Sequence, residues 1–240
     1  MTRRVFAVIA IVLFGFVFAT LATSYTEQHS LRRLAESYVQ LVPQKLGAPN
    51  VITGILLTYR AFDTLGEVAV LFMVGAGVVL VLNVDRWPHA AAHSSEEPRP
   101  SSEIVQSGAQ FLSPLIAIFA AYIIMNGHLS AGGGFQGGAV IASCVLLVLL
   151  VYPHYQLNIE FLTITESVAG VLFVLTGIAG VIVAGGFLDN RILPLGQFGA
   201  FFSAGGIPVL SILLGIKVGC ELSVILDGFR PGPVGQKDKV

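Results

Sequence analysis

Long apolar stretches separated by shorter polar ones dominate the chain. Apolar runs cover residues 5–22, 51–82, 104–125, 135–152, 163–186 and 205–229. Each is close to or beyond the roughly 20 residues with which a helix crosses a hydrocarbon core. The pattern predicts an all-α, polytopic membrane protein with about six transmembrane helices. The second run is overlong: as a continuous helix it would reach roughly 48 Å against a core of about 30 Å, so it must tilt, protrude or break.

The polar segments divide the chain. Residues 31–39, within the polar stretch 23–50, have the spacing of a short amphipathic surface helix ahead of Pro43. Residues 85–103 hold Pro88, Pro98 and Pro100 among serines and mixed charges and read as a linker. This gives a two-helix part, 1–84, and a four-helix part, 104–240. The first run follows Arg3 and Arg4 and exceeds the usual signal core of about 7 to 15 residues. An uncleaved helix is therefore favoured over a secretory signal, although Thr20-Leu21-Ala22 resembles a cleavage site.

Composition narrows the class. Apolar residues make up 55% and charged residues 11%, against about 25% charged in soluble domains, which excludes an ordinary soluble globule. With 13 Lys plus Arg against 14 Asp plus Glu, nothing suggests a nucleic-acid partner or an acidic solvated arm. Cys144 and Cys220 lie inside apolar runs without the spacing of metal ligands or of a disulfide framework. If the N-terminus is cytoplasmic, the inner segments carry Arg3, Arg4, Arg86, Arg99, Arg230, Lys237 and Lys239, and the outer loops Arg32, Arg33, Lys45 and Arg191. The asymmetry predicts both termini inside.

The charges that fall within or at the edge of apolar runs are Arg60, Asp63, Glu67, Glu166, Lys217, Glu221 and Asp227. Ionisable groups in a bilayer cost about 2.5 to 3.5 kcal/mol at its centre, so they normally face protein or water and often mark ion pathways. Arg60, Asp63 and Glu67 share one helix face, where Arg60 and Asp63 can pair and fix packing near the interface. Glu67 either shares Arg60 or meets a basic group elsewhere, and a carboxylate there can carry a proton or a cation. Lys217 and Glu221 are four apart in the last run, suited to an ion pair, a relay or a buried clamp, with Glu166 of the preceding run as a further partner. Glu166 is expected at the start of that run, where a helix dipole would also favour it. Asp227 is expected at the interface.

Residues 127–138, Gly127-His128-Leu129-Ser130-Ala131-Gly132-Gly133-Gly134-Phe135-Gln136-Gly137-Gly138, lack the Gly-Lys-Ser/Thr ending of a phosphate loop. They suit a tight turn into a helix whose Gly134, Gly137 and Gly138 pack closely on neighbours, with His128 beside it. His89 and His93 are four apart in the linker but lack a third ligand nearby. The chain shows no nucleophile elbow, iron-sulfur motif or dinucleotide fingerprint, so no cofactor and no covalent chemistry are expected of it.

Two strings carry a family resemblance. The glycine-rich string, with Ile216-Lys217-Val218-Gly219, resembles the MnhB/MrpB subunit of Mrp-type multisubunit sodium/proton antiporters, over about residues 101–229. Arg60-Ala61-Phe62-Asp63-Thr64-Leu65-Gly66-Glu67 resembles the C-terminal element of the large antiporter A subunit, which stands alone as the small E-type subunit of Mrp-related membrane-bound hydrogenases. The resemblance implies two subunits fused through the linker, in a complex of a prokaryotic cytoplasmic membrane that is either a free-standing cation/proton antiporter or the antiporter module of a respiratory complex. The implied partners are other antiporter subunits, hydrogenase-like or other redox subunits, membrane lipid, and sodium or protons. It further implies that Asp63, Glu67 and Lys217 belong to an ion path, and the charge pattern itself adds Glu221, Glu166, Arg60 and His128 as candidates for it. MrpB chains usually carry a small residue where this one has Glu221, which favours the respiratory-complex version. The alternative is a non-conducting scaffold that holds antiporter-like subunits together.

Overall fold

A computed structural model describes residues 2–25, 30–84 and 101–229. These form helices α1 (Thr2–Ser24), α2 (Arg33–Leu41), α3 (Val51–Gly54), α4 (Ala61–Val84), α5 (Glu103–Met125), α6 (Gly134–Val151), α7 (Ile159–Ala184) and α8 (Ile207–Gly228), with no named strand among the described residues. Six helices are long and apolar enough to cross a membrane, as the run pattern predicts. The linker residues 85–100, with His89 and His93, lie outside the described residues.

The chain divides into two compact units, 1–37 and 38–240. In the first, α1 is predominantly apolar and long enough to cross a membrane. The second holds the bundle. There α8 is the central helix: 56% of its span is buried, against 17–33% for α4, α5, α6 and α7. Glycines make that centre possible. A Cβ at Gly134 would lie 2.4 Å from the Ser211 carbonyl oxygen, and one at Gly138 2.7 Å from Val218 Cβ, so α6 meets α8 backbone to backbone.

Two sequence expectations change in detail. The surface helix does not stop at Pro43: α2 continues into a π-helical turn, Val42–Leu46, that includes Pro43. Val42 and Leu46 bury themselves in the core. The overlong run breaks. After α3 comes a π-helical segment, Ile55–Tyr59, and Arg60 leaves helical geometry at φ −120°, ψ 39°, before α4 starts.

Three connections meet at one end of the second unit. Asn50 donates its amide to the carbonyls of Gly127 and Ser130 at 2.8 and 2.7 Å. Buried Asn190 donates to the carbonyls of Leu46 and Ala204 at 3.0 and 3.2 Å. His128, fully buried, donates from Nε2 to the Phe201 carbonyl at 3.1 Å. Residues 42–60, 126–133 and 188–206 are thereby tied together through polar groups that would otherwise be costly to bury.

Candidate functional site

The last helix brings its two charges onto one face because Lys217 and Glu221 are one turn apart. Glu166 joins them from α7. That helix starts at Ile159, capped by the Asn158 side chain on the Phe161 N–H, four residues earlier than the apolar run suggests. Glu166 is therefore two turns inside the helix, beyond reach of the N-terminal dipole, which corrects its expected place at the start.

Lys217 Nζ donates to Glu166 Oε1 at 2.9 Å and to Glu221 Oε2 at 2.8 Å. The relative exposures of Lys217, Glu166 and Glu221 are 6%, 9% and 3%, so all three are out of solvent. Separating ions from water costs several kcal/mol each, and only short charge-assisted hydrogen bonds of this kind offset it. The Phe72 ring of α4 lies 5.9 Å from Nζ, and the lysine stem passes Gly170 of α7. On the far side, Gly75 of α4 leaves room for Glu221 Oε1, which would lie 3.2 Å from a Cβ there. The cluster holds two carboxylates and one ammonium, so it accommodates one further positive charge, a proton or a cation.

The other candidate residues are not gathered here. Arg60 pairs with Asp63 at the helix break, both largely exposed at 59% and 45% of their side chains. Glu67 forms no ion pair among the described residues and lines a separate cavity of about 640 Å³. His128 sits in the loop stack, and its burial holds the imidazole below its ordinary proton affinity. No group of His, Cys, Asp and Glu among the described residues could hold a metal ion.

Sequence reasoning did not single out Phe72, Gly75 or Ser211. Ser211 is a lone hydroxyl inside an apolar run, a signal that was available; Phe72 and Gly75 become notable only once α4 lies against α8.

The domain family described as related to the MnhB subunit of the Na+/H+ antiporter matches residues 104–224, half of the chain, including all three members of the buried cluster. The chain belongs to this MnhB-related family. Residues 2–100 match the family described as the E subunit of MBH. The MnhB-related chain is also similar to a chain of the membrane-bound sulfane sulfur reductase, an archaeal respiratory membrane complex. That likeness has 34% identity and a TM-score of 0.78 over 96% of this chain and 99% of the other. The B subunit of the Na+/H+ antiporter of Bacillus subtilis is 32% identical over 39% of this chain and 68% of its own length. The Mrp complex of a Dietzia species contains a chain of the same fold, with a TM-score of 0.78 and 21% identity. The MnhB-related chain covers 27% of that longer polypeptide.

Proposed function

We propose that the chain is a membrane subunit of an Mrp-type antiporter module within a prokaryotic respiratory or hydrogenase-like complex, and that its buried cluster belongs to the ion path. The observation that carries this reading is Lys217 held between Glu166 and Glu221 with one carboxylate in excess. A helix clamp needs only a matched pair; a surplus carboxylate in a dry bundle gives a place where positive charge can arrive and leave. Similarity to a chain of a respiratory complex and to an antiporter B subunit supports the setting.

Both termini are placed in the cytoplasm. The Lys and Arg asymmetry supports it. Alternating spans from that start put residues 42–60, 126–133 and 188–206 on the outer side, in keeping with their mutual contacts. The two matched families support reading residues 1–84 and 104–240 as two fused subunits joined through 85–103. Arg60 and Asp63 serve as a local pair at the break, and His128 as a fastener of the loops.

Glu221→Gln and Glu166→Gln are the test, each in the complex purified through a tag on this chain and reconstituted in vesicles. Ion exchange falls by at least about tenfold in both while the subunit composition is unchanged. Wild-type exchange in an intact complex would instead establish the scaffold reading, which the complete pairing of Lys217 within the chain favours.

A further inference from the structure

The cavity that Glu67 lines lies apart from the buried cluster and is bounded by α3 with its π-helical extension, by α4, and by the first turns of α6 and α8. Its walls are mainly apolar, yet they include Glu67, Thr53, Thr64, Gln136 and Ser211. Ser211 is fully buried, and its hydroxyl has no hydrogen-bond partner among the described residues. A serine in a helix ordinarily satisfies itself on the carbonyl one turn back, as Ser223 does on Gly219 in this same helix. The Ser211 hydroxyl is instead left for something inside the cavity. Gly133 caps α6 with no side chain, so the first backbone N–H groups of that helix also lack side-chain partners at the cavity wall. A volume of about 640 Å³ is ample for a group of waters that bind such donors and acceptors.

The cavity also points somewhere. Along α4 its lining runs from Glu67 through Val70 and Leu71 to Val74, the residue next to Gly75, against which the Glu221 carboxylate packs. Along α8 it runs from Ser211 to Leu214, three residues before Lys217. Leu71 and Leu214, which pack in the core, form the floor between cavity and cluster, whereas Val74, 48% exposed, stands with the exposed Glu67 at the cavity's open side.

We propose that this cavity is a hydrated antechamber for protons: Glu67 and Ser211 hold its water, and protons collected there cross the floor of Leu71 and Leu214 to the Lys217–Glu221 pair. The inference rests on the reading of the cluster as part of an ion path and names the ion. A sodium ion sheds its hydration only where oxygens replace it, and the floor side chains offer none. Lys217 Nζ already occupies the position between the two carboxylates that such an ion would take. A proton needs only a transient file of water. It is taken from hydronium by the Glu67 carboxylate and returned to chamber water. It then passes by hydroxyl exchange at Ser211, which accepts one proton as it releases its own, and is received by a Glu221 oxygen. The charged groups around this route are Glu67 on α4, Lys217 and Glu221 on α8, and Glu166 on α7, with Arg60 and Asp63 paired with each other at the break.

The test uses the whole complex carrying Ser211→Cys, exposed to a cationic and to an anionic methanethiosulfonate reagent. Modification is read by mass on the peptide that contains position 211. Modification is expected with both reagents, the cationic one several-fold faster, and Glu67→Gln brings the two rates together. In vesicles, Glu67→Gln slows proton uptake several-fold and Glu67→Asp keeps most of it. Leu214→Cys, at a buried position of the same lining, replaces the reporter if Ser211→Cys does not assemble. No modification at either position, while Ser130→Cys in the exposed loop reacts, overturns the antechamber, as does unchanged proton uptake in Glu67→Gln. Labelling at 211 does not depend on Glu221, so loss of the ion-path reading through Glu221→Gln is separately visible.

Discussion

Gly75 of α4 stands directly against the Glu221 carboxylate of α8, with room for a hydrogen and little more: a Cβ there would lie 3.2 Å from Oε1 and 3.6 Å from Cγ. Because the nearest atom is the end of a flexible side chain, Gly75→Ala is tolerated, with a stability change within about 1 kcal/mol. Gly75→Val forces the carboxylate away from its position beside Lys217. Ion exchange in reconstituted vesicles then drops by about tenfold or more, while the complex still copurifies.

Removing the lysine separates charge from structure. Lys217→Met leaves Glu166 and Glu221 buried without their counter-charge and lowers stability by about 3 to 5 kcal/mol. Combining it with Glu166→Gln and Glu221→Gln neutralises the cluster and restores most of that stability, read as the melting temperature of the detergent-purified complex. Exchange stays lost in the triple variant if the cluster carries charge, and returns with the fold if it only clamps helices.

Gly134→Ala behaves in the opposite way. Its Cβ would press on the Ser211 carbonyl and on Gly215 N, which are backbone and cannot yield. Helices α6 and α8 must separate, so the expected result is loss of folded chain by a few kcal/mol rather than a selective loss of exchange. Thermal melting of the purified chain checks this.

His128 links stability to pH. Burial lowers its proton affinity in the folded chain below the ordinary 6.5. Above that pH both states are neutral and the residue contributes no pH dependence. As pH falls through about 6.5, the unfolded chain takes up a proton that the folded chain refuses, and stability declines until the folded imidazole itself titrates. His128→Gln, which can still donate to the Phe201 carbonyl, is expected to flatten melting temperature between pH 7 and pH 5.

The Arg60–Asp63 pair is short but solvated on both sides. Asp63→Asn is expected to change stability by less than about 1 kcal/mol, measured by the same melting experiment.

Much of this architecture was legible in the apolar runs, because a span in lipid must be both long and apolar. The excess length of residues 51–82 predicted that something had to give, and the chain resolves it by breaking at Arg60. Local spacing also predicted the pairing of Lys217 with Glu221, and left Glu166 as one of several partners. What spacing could not supply was contact between distant segments. The seat of Glu221 against Gly75, the Phe72 ring beside Lys217 and the cavity shared by Glu67 and Ser211 exist only because α4 packs on α8. The start of α7 was misplaced for a simpler reason: the cap Asn158 and Glu160 interrupt the apolar pattern of Ile159, Phe161 and Leu162, so the uninterrupted run begins later than the helix does.

The order of α7 and α8 along the chain sets an order of events during synthesis. Glu166 enters the membrane with α7 before Lys217 has been translated. Until α8 arrives, that carboxylate has no cation from its eventual pair and must be carried by the apolar length of its own helix, which spans 26 residues. Insertion of α8 then supplies the ammonium and the central packing surface in one step. A chain truncated before residue 217 therefore keeps the Glu166 carboxylate without the ammonium that neutralises it in the finished bundle.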